Sequence, residues 1–301
     1  MKYIGKLLYL LFIGISAGIS AQDVAKDTVP KKDTTKLEKL VQSVGNYVAP
    51  DKDADEDSVC YSDRCVFDEK LATGIYGFNQ FTHETALFIE APTRWHKKDF
   101  IRLSAVVVGI AVIMPFDQQI TKIFRGNQQY YYSFPVEGGR EYGEWYSIGA
   151  VTAIFAGYGI LAHNNPAKKI AIELLQAGTY SELITEILKI GIGRARPYEN
   201  VGPYTYHPFT VINTGFQSSP SGHAACAMAL STVMSRHAHS TFLKVLAYVP
   251  AGFTLFSRIY QNYHWASDEF FGAAVGLSTG TWVVNLHEGR RHKINIPVDN
   301  K

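Results

Sequence analysis

His264 and Asp268 stand four residues apart in the segment Tyr-His-Trp-Ala-Ser-Asp, and such a pair can do acid–base or nucleophilic chemistry. On a helix, this spacing would place the carboxylate one turn beyond the imidazole on the same face. The carboxylate could then accept one ring N–H and leave the other ring nitrogen free as a base or nucleophile. Because many pairs with this spacing are surface contacts, the pair alone does not establish a catalytic site.

A second segment, Ser-Pro-Ser-Gly-His over residues 219–223, precedes an apolar run. Ser219 is a good N-cap and Pro220 suits the first helical position, so the sequence predicts that a helix begins here. The free N–H groups at a helix start favour an anion. His223 would lie beside that anion in the first turn.

A third segment, residues 188–197, ends an apolar helical stretch with glycines, cations and a proline. It contains Lys189 and Arg196, and a further cation, Arg258, lies six residues before His264. One interpretation is that these cations only complement the C-terminus of a helix. If the fold brings Lys189, Arg196 and Arg258 together at a helix N-terminus, however, their positive charge could bind the negatively charged oxygens of a phosphomonoester. The residues therefore favour phosphoryl transfer without a metal.

These three segments resemble the motifs of the type 2 phosphatidic acid phosphatase superfamily, which includes bacterial class A acid phosphatases and vanadium haloperoxidases. The family pattern is Lys-x6-Arg-Pro, then Pro-Ser-Gly-His, then Ser-Arg-x5-His-x3-Asp. Eleven positions match it in order, namely Lys189, Arg196, Pro197, Pro220, Ser221, Gly222, His223, Ser257, Arg258, His264 and Asp268. The resemblance covers about residues 100–287.

The resemblance implies that His264 attacks phosphorus and forms a phosphohistidine, while Asp268 holds the imidazole in the correct tautomer. It also implies that His223 protonates the leaving alkoxide and then activates water. The implied phosphate ligands are Lys189, Arg196, Ser221, Arg258 and the backbone N–H of Gly222. No cofactor and no metal is implied. Arg194 is not a motif position, so we expect it to face solvent or a lipid headgroup.

Apolar helical blocks separated by prolines dominate the chain from about residue 100 onward. They predict an all-α fold, a bundle of about six core helices that is membrane-associated or membrane-embedded. The predicted blocks are residues 100–116, 144–162, 167–192, 222–236, 241–260 and 265–286. Strand-like alternation is scarce.

The sequence divides into five predicted segments. Residues 1–21 carry two early lysines and an apolar run, which predicts a signal peptide or an N-terminal anchor. Residues 22–70 are polar and predict a disordered tether, in which Cys60 and Cys65 could form a disulfide or remain free thiols. Residues 71–99 predict an amphipathic or interfacial lead-in. The helical domain then covers residues 100–293, and residues 294–301 form a tail.

Several sequence features bear on whether the helices of this bundle span a membrane. Residues 146–162 and 270–286 are uncharged over about the length of a membrane span. Aromatic residues at 130–132, Trp145 and Trp265 could form an interfacial belt. Basic residues at the opposite helix ends favour an outward-facing site. An export signal, however, would leave residue 22 outside the membrane, whereas an outward-facing site requires the first core helix to start inside. Either residues 71–95 dip into the bilayer and supply the missing crossing, or the bundle does not span the membrane.

The leading functional prediction is a phosphatase acting on a lipid-linked phosphate, such as phosphatidate, phosphatidylglycerol phosphate, polyprenyl pyrophosphate or lipid A phosphate. Its expected location is a bacterial-type cell envelope, either the inner membrane with a periplasm-facing site or the periplasm. The alternatives are a broad-specificity periplasmic acid phosphatase for small phosphomonoesters, a vanadium haloperoxidase and a non-catalytic phosphate-binding membrane protein. The net charge of +2 and the lack of a dense Lys/Arg stripe argue against a nucleic-acid partner, and the oligomeric state is not predicted.

Overall fold

The computed structural model describes residues 78–126 and 128–288. In this part of the chain the regular elements are helices, accompanied by an isolated β-bridge between Arg194 and Tyr206. The predicted all-α class is confirmed. The predicted signal or anchor, the tether with Cys60 and Cys65, the start of the lead-in and the tail lie outside the described residues.

The described residues form ten α-helices. In chain order they are α1 (Phe78–Glu90), α2 (Lys97–Ile113), α3 (Asp117–Arg125), α4 (Phe134–Tyr142), α5 (Trp145–Leu161), α6 (Asn165–Ile192), α7 (Gly222–Arg236), α8 (Thr241–Leu246), α9 (Val249–Tyr260) and α10 (Ala266–His287). The six predicted blocks correspond to α2, α5, α6, α7, the α8–α9 pair and α10. The block 241–260 divides in two because Pro250, which has no N–H to donate, lies in the first turn of α9.

Helix α7 lies at the centre of the bundle, where it packs against α6, α9 and α10. Glycines let α10 run parallel to α7 at very short range. A Cβ on Gly272 would lie 2.2 Å from the Ser221 carbonyl oxygen, and one on Gly276 would lie 2.1 Å from that of Ala225. The N-terminal ends of α7 and α10 therefore meet at the same end of the bundle.

A long loop between α6 and α7 covers this same end. It begins at Gly193, whose φ of 63° lies in the left-handed region and ends α6. A Cβ there would lie 1.9 Å from the His207 carbonyl oxygen, so the position requires glycine. Backbone hydrogen bonds from Ala195 to Thr205 (2.9 Å) and from Ser218 to Arg194 (3.0 Å) fold the loop back on itself.

Two segments, Lys97–Arg125 and Thr241–Tyr260, are long and apolar enough to cross a membrane by length and composition. The first contains α2, which has no buried side chain although its sequence is apolar. These are not the two segments predicted from the sequence. Within the predicted aromatic belt, Trp145 is exposed, but Trp265 is only 4% exposed, so the prediction for Trp265 is wrong.

Candidate active site

His264 lies in the turn before α10 and is 1% exposed. Its Nδ1 is 2.7 Å from the backbone carbonyl oxygen of Ser218. A carbonyl oxygen only accepts hydrogen bonds, so Nδ1 carries the proton and Nε2 keeps a free lone pair. Burial lowers the pKa of His264 well below its ordinary value, and the nearby cations lower it further. The ring is therefore neutral at physiological pH, which is the state that a nucleophile needs.

The structure does not place Asp268 against His264 as the sequence predicted. His264 lies outside the helix, and Asp268 lies in the first turn of α10, where its Oδ2 accepts hydrogen bonds from the Trp265 amide (3.1 Å) and the Ser218 hydroxyl (2.5 Å). The shared helical face was therefore a wrong prediction. Asp268 instead fixes Ser218, whose carbonyl oxygen holds the imidazole, so its influence on His264 passes through that residue.

Arg194 is buried rather than facing solvent or lipid, and this prediction was also wrong. It is 1% exposed and donates to Asp117 (2.8 Å), Asp268 (2.6 Å) and Ser267 (2.7 Å). A fourth hydrogen bond joins its Nε to the carbonyl oxygen of Pro203 at 2.9 Å. Burial of a guanidinium is tolerated because every side of it faces an acceptor. Arg194 thus connects the α6–α7 loop to α3 and α10.

Four charged or titratable side chains lie close enough to His264 to act on it electrostatically, and all four were predicted from the sequence: Lys189, Arg196, His223 and Arg258. Lys189 is 8% exposed and pairs with Glu186, and its Nζ would lie 3.0 Å from a Cβ on Gly222. The cation predicted at the end of α6 therefore lies at the N-terminus of α7.

Arg258 is 4% exposed and lies over the ring of Tyr263, with Cζ 4.2 Å from the ring centroid. One of its terminal nitrogens donates to Gln261 at 3.0 Å, but its buried Nε has no hydrogen-bond partner among residues 78–126 and 128–288. Arg196 is partly exposed and donates to the carbonyl oxygen of Thr214 at 3.0 Å. These guanidinium groups retain donors for an oxyanion.

The N-terminus of α7 lies beside these cations. The N-cap is Ser221, whose hydroxyl accepts from the Ala224 amide at 3.3 Å, so the predicted N-cap at Ser219 was two residues too early. The first amides of a helix have no partner within it. The N–H groups of Gly222 and His223 can therefore bind an anion here, together with the helix dipole.

His223 faces both His264 and Glu144. The two imidazole centroids are 6.4 Å apart, so both rings can reach one phosphoryl group. Nε2 of His223 lies 3.1 Å from a carboxylate oxygen of Glu144, and that hydrogen bond lowers the pKa of the Glu144 carboxyl. Burial lowers the pKa of His223 to about 4, against the opposite influence of Glu144. Because Nε2 donates to Glu144, Nδ1 is the nitrogen available for proton transfer.

Sequence reasoning missed Glu144, Ser218 and the Asp117–Arg194 pair. Glu144 is 79 positions from His223, and Asp117 is 77 from Arg194, so no local spacing could connect them. Ser218 lies beside the Pro-Ser-Gly-His motif, but its contribution to His264 is a backbone carbonyl group, which any residue type would supply.

Residues 170–292 match the family model described as the PAP2 superfamily. This match includes the predicted site residues from Lys189 to Asp268 and leaves α1–α5 outside it.

Two curated relatives and one solved structure are similar to this chain. A lipid A 1-phosphatase of Porphyromonas gingivalis is 39% identical over 92 residues, which are 29% of this chain and 21% of that protein. A PA-phosphatase related-family protein of Dictyostelium discoideum is 30% identical over 152 residues, or 46% of this chain and 56% of that protein. The chain thus spans about a fifth and just over half of the lengths of these relatives.

The crystal structure of a transmembrane PAP2 type phosphatidylglycerolphosphate phosphatase from Bacillus subtilis aligns with a TM-score of 0.46 and 20% identity. The alignment covers 76% of this chain and 96% of that one.

Proposed function

We propose that this protein is a metal-independent phosphatase that removes the phosphate group from a phosphorylated lipid through a phosphohistidine at His264. The observation that carries the proposal is the state of His264. Its Nδ1 is tied to the Ser218 carbonyl oxygen, its Nε2 is free, and cations surround it. Simple phosphate binding has no need of an imidazole held in one tautomer.

In the first step, the lone pair of His264 Nε2 attacks phosphorus and the P–O bond to the alcohol breaks. The leaving oxygen takes a proton from Nδ1 of the His223 imidazolium. Lys189, Arg196 and Arg258 stabilise the charge on the equatorial oxygens. The pKa of His223 is about 4 without an anion, but the negative charge of a bound phosphate favours the protonated ring, so we expect binding to raise this pKa.

In the second step, neutral His223 takes a proton from water, and the resulting hydroxide attacks the phosphoryl group. The P–N bond breaks, inorganic phosphate leaves and His264 returns to its starting state. Glu144 accepts from Nε2 of His223 in both steps and orients the ring. Asp268 keeps Ser218 in place and so preserves the alignment of His264.

The proposed substrate class follows from the surface of the bundle. The apolar segment Lys97–Arg125 leaves side chains such as Val107 and Val112 more than half exposed to the surroundings. An exposed apolar helix of this length is typical of a membrane-facing surface. One relative is named a lipid A 1-phosphatase, which supports a lipid-linked phosphate as the substrate. We propose an envelope location with the site on the outward face of the membrane.

The nucleophile is tested by the variant His264→Ala, with His83→Ala as the matched control because His83 is exposed on α1. We expect the first variant to lose phosphatase activity while staying folded, and the control to keep it. Wild-type activity should survive excess EDTA and be strongly inhibited by vanadate, which mimics the five-coordinate transition state. Near-normal turnover by His264→Ala would exclude this nucleophile, and loss of activity in EDTA would indicate a metal-dependent site.

The substrate class is tested by measuring phosphate release from phosphatidate and from a soluble phosphomonoester side by side. We expect a clear preference for the lipid. Equal rates on both would favour the broad-specificity acid phosphatase instead. Extraction of membranes with alkaline carbonate tests the location, because release of the protein into the supernatant would contradict an integral membrane protein.

A further inference from the structure

Glu269 is a buried carboxyl group beside the proposed phosphate site, and it belongs to none of the matched motifs. It lies in the first turn of α10, next to Asp268, and is 1% exposed. Among the described residues, neither of its carboxyl oxygens accepts a hydrogen bond of good geometry, although the Ser221 side chain is near enough to influence the group. A carboxylate without hydrogen bonds is costly to bury, so this environment favours the uncharged acid.

The adjacent carboxyl group of Asp268 shows the opposite arrangement. Its oxygens accept hydrogen bonds from Arg194, Ser218 and the backbone amide of Trp265. Those donors stabilise a negative charge. Two consecutive carboxyl groups in one helical turn therefore lie in different environments, and only Asp268 is provided with the partners that an anion requires.

The neighbours of Glu269 include residues of the proposed phosphate site. Four groups act on it: Ser221 on α7, Arg258 on α9, Arg196 in the α6–α7 loop and Asp268 on its own helix. Gly272, one turn further along α10, packs on the carbonyl oxygen of Ser221, so this face of α10 faces the start of α7. Burial raises the pKa of Glu269 to about 8, against the opposite influence of Ser221 and Arg258.

We propose that Glu269 acts as an uncharged carboxylic acid beside the phosphate site, and that its ionisation at alkaline pH weakens oxyanion binding and turnover. Glu269 is a positioning residue in this scheme. As the acid, it leaves Arg258 and the Ser221 hydroxyl free to bind phosphate oxygens. As a carboxylate, it repels the phosphate and competes for both of those groups.

This inference rests on the proposed function, and the variant Glu269→Gln tests it because the amide has nearly the same shape and cannot ionise. The measurement is the dissociation constant for vanadate, together with the rate of phosphate release, between about pH 6 and about pH 10. Vanadate, substrate and the two histidines titrate in both proteins, so the ratio of wild type to variant isolates Glu269. Glu269→Met serves as a second uncharged variant if the amide disturbs folding, and Glu90→Gln, on the exposed end of α1, is the control.

We expect wild type and Glu269→Gln to bind vanadate alike at the acid end. At the alkaline end, the wild type should bind about tenfold more weakly than the variant. Glu90→Gln should follow the wild type throughout. The same pH dependence in wild type and Glu269→Gln would overturn the inference while leaving the phosphatase intact. Absence of both turnover and vanadate binding in the wild type would overturn the proposed function, and this inference with it.

Discussion

Two buried arginines, Arg194 and Arg258, belong to the same end of the bundle but have opposite surroundings. Arg194 donates to Asp117, Asp268, Ser267 and a backbone carbonyl, which neutralise it and accept its hydrogen bonds. Within the described part of the chain, Arg258 makes one hydrogen bond, to Gln261, and its buried Nε has no hydrogen-bond partner. A complete set of partners indicates that an arginine stabilises the fold, whereas unused buried donors indicate that a ligand completes them.

The variant Arg194→Met removes the cation that has a complete set of partners. It would leave Asp117 and Asp268 buried without their cation, so we expect the free energy of unfolding to fall by about 3–5 kcal/mol. Chemical denaturation in detergent measures this. A stability equal to that of the wild type would show that Arg194 is not the structural member of the pair.

The matching variant Arg258→Met should have the reverse effect. Loss of a donor that meets the transition-state charge should lower kcat/KM by about 10²–10³-fold. The protein should stay folded, because the arginine makes one hydrogen bond and one ring contact within the described structure. A variant that keeps its activity but unfolds easily would reverse the roles assigned to the two arginines.

Glu144→Gln tests the carboxylate that contacts the proposed proton donor His223. The amide could still accept a hydrogen bond from His223, but it would not stabilise the imidazolium. We therefore expect kcat to fall by about tenfold while vanadate binding changes little. The pH–rate profile is the measurement that separates this role from a structural one, since loss of the carboxylate should lower the pKa of His223 further. An unchanged profile would contradict the assignment.

Arg94→Met should have the smallest effect and provides the exposed reference for both buried arginines. Arg94 pairs with Glu90 at 2.8 Å, but the side chains are 49% and 56% exposed. Solvent screens such a pair, so we expect a change in stability within about 0.5 kcal/mol and no change in activity. A loss of stability as large as that of Arg194→Met would mean that burial does not explain the difference between Arg94 and Arg194.

The fold was predictable from the sequence where glycine or proline residues mark the ends of apolar helices. The predicted block 222–236 coincides with α7, although its N-cap is Ser221 rather than Ser219, and α6 ends at a glycine as its sequence predicts. The pairing of α7 with α10 through Gly272 and Gly276 was not predictable, because glycines on two distant helices give no sign of which partner they contact.

The candidate site was predictable only as far as its motif residues. Lys189, Arg196, His223 and Arg258 do surround His264. The role of Arg194 was missed because its partner Asp117 lies on α3, which carries none of the motifs. The i, i+4 spacing of His264 and Asp268 was misleading for another reason: the helix begins between them, so the acid caps the helix and reaches the histidine only through Ser218.

The proposed function depends on transfer of the phosphoryl group from the substrate to Nε2 of His264. The most direct measurement stops turnover of a phosphorylated lipid in alkali, which preserves phosphoramidates, and locates the phosphoryl group by peptide mass spectrometry. We predict an N-linked phosphate on His264 in the wild type and none in His264→Ala. Active wild-type enzyme that never acquires phosphate on His264 would contradict covalent catalysis at this residue.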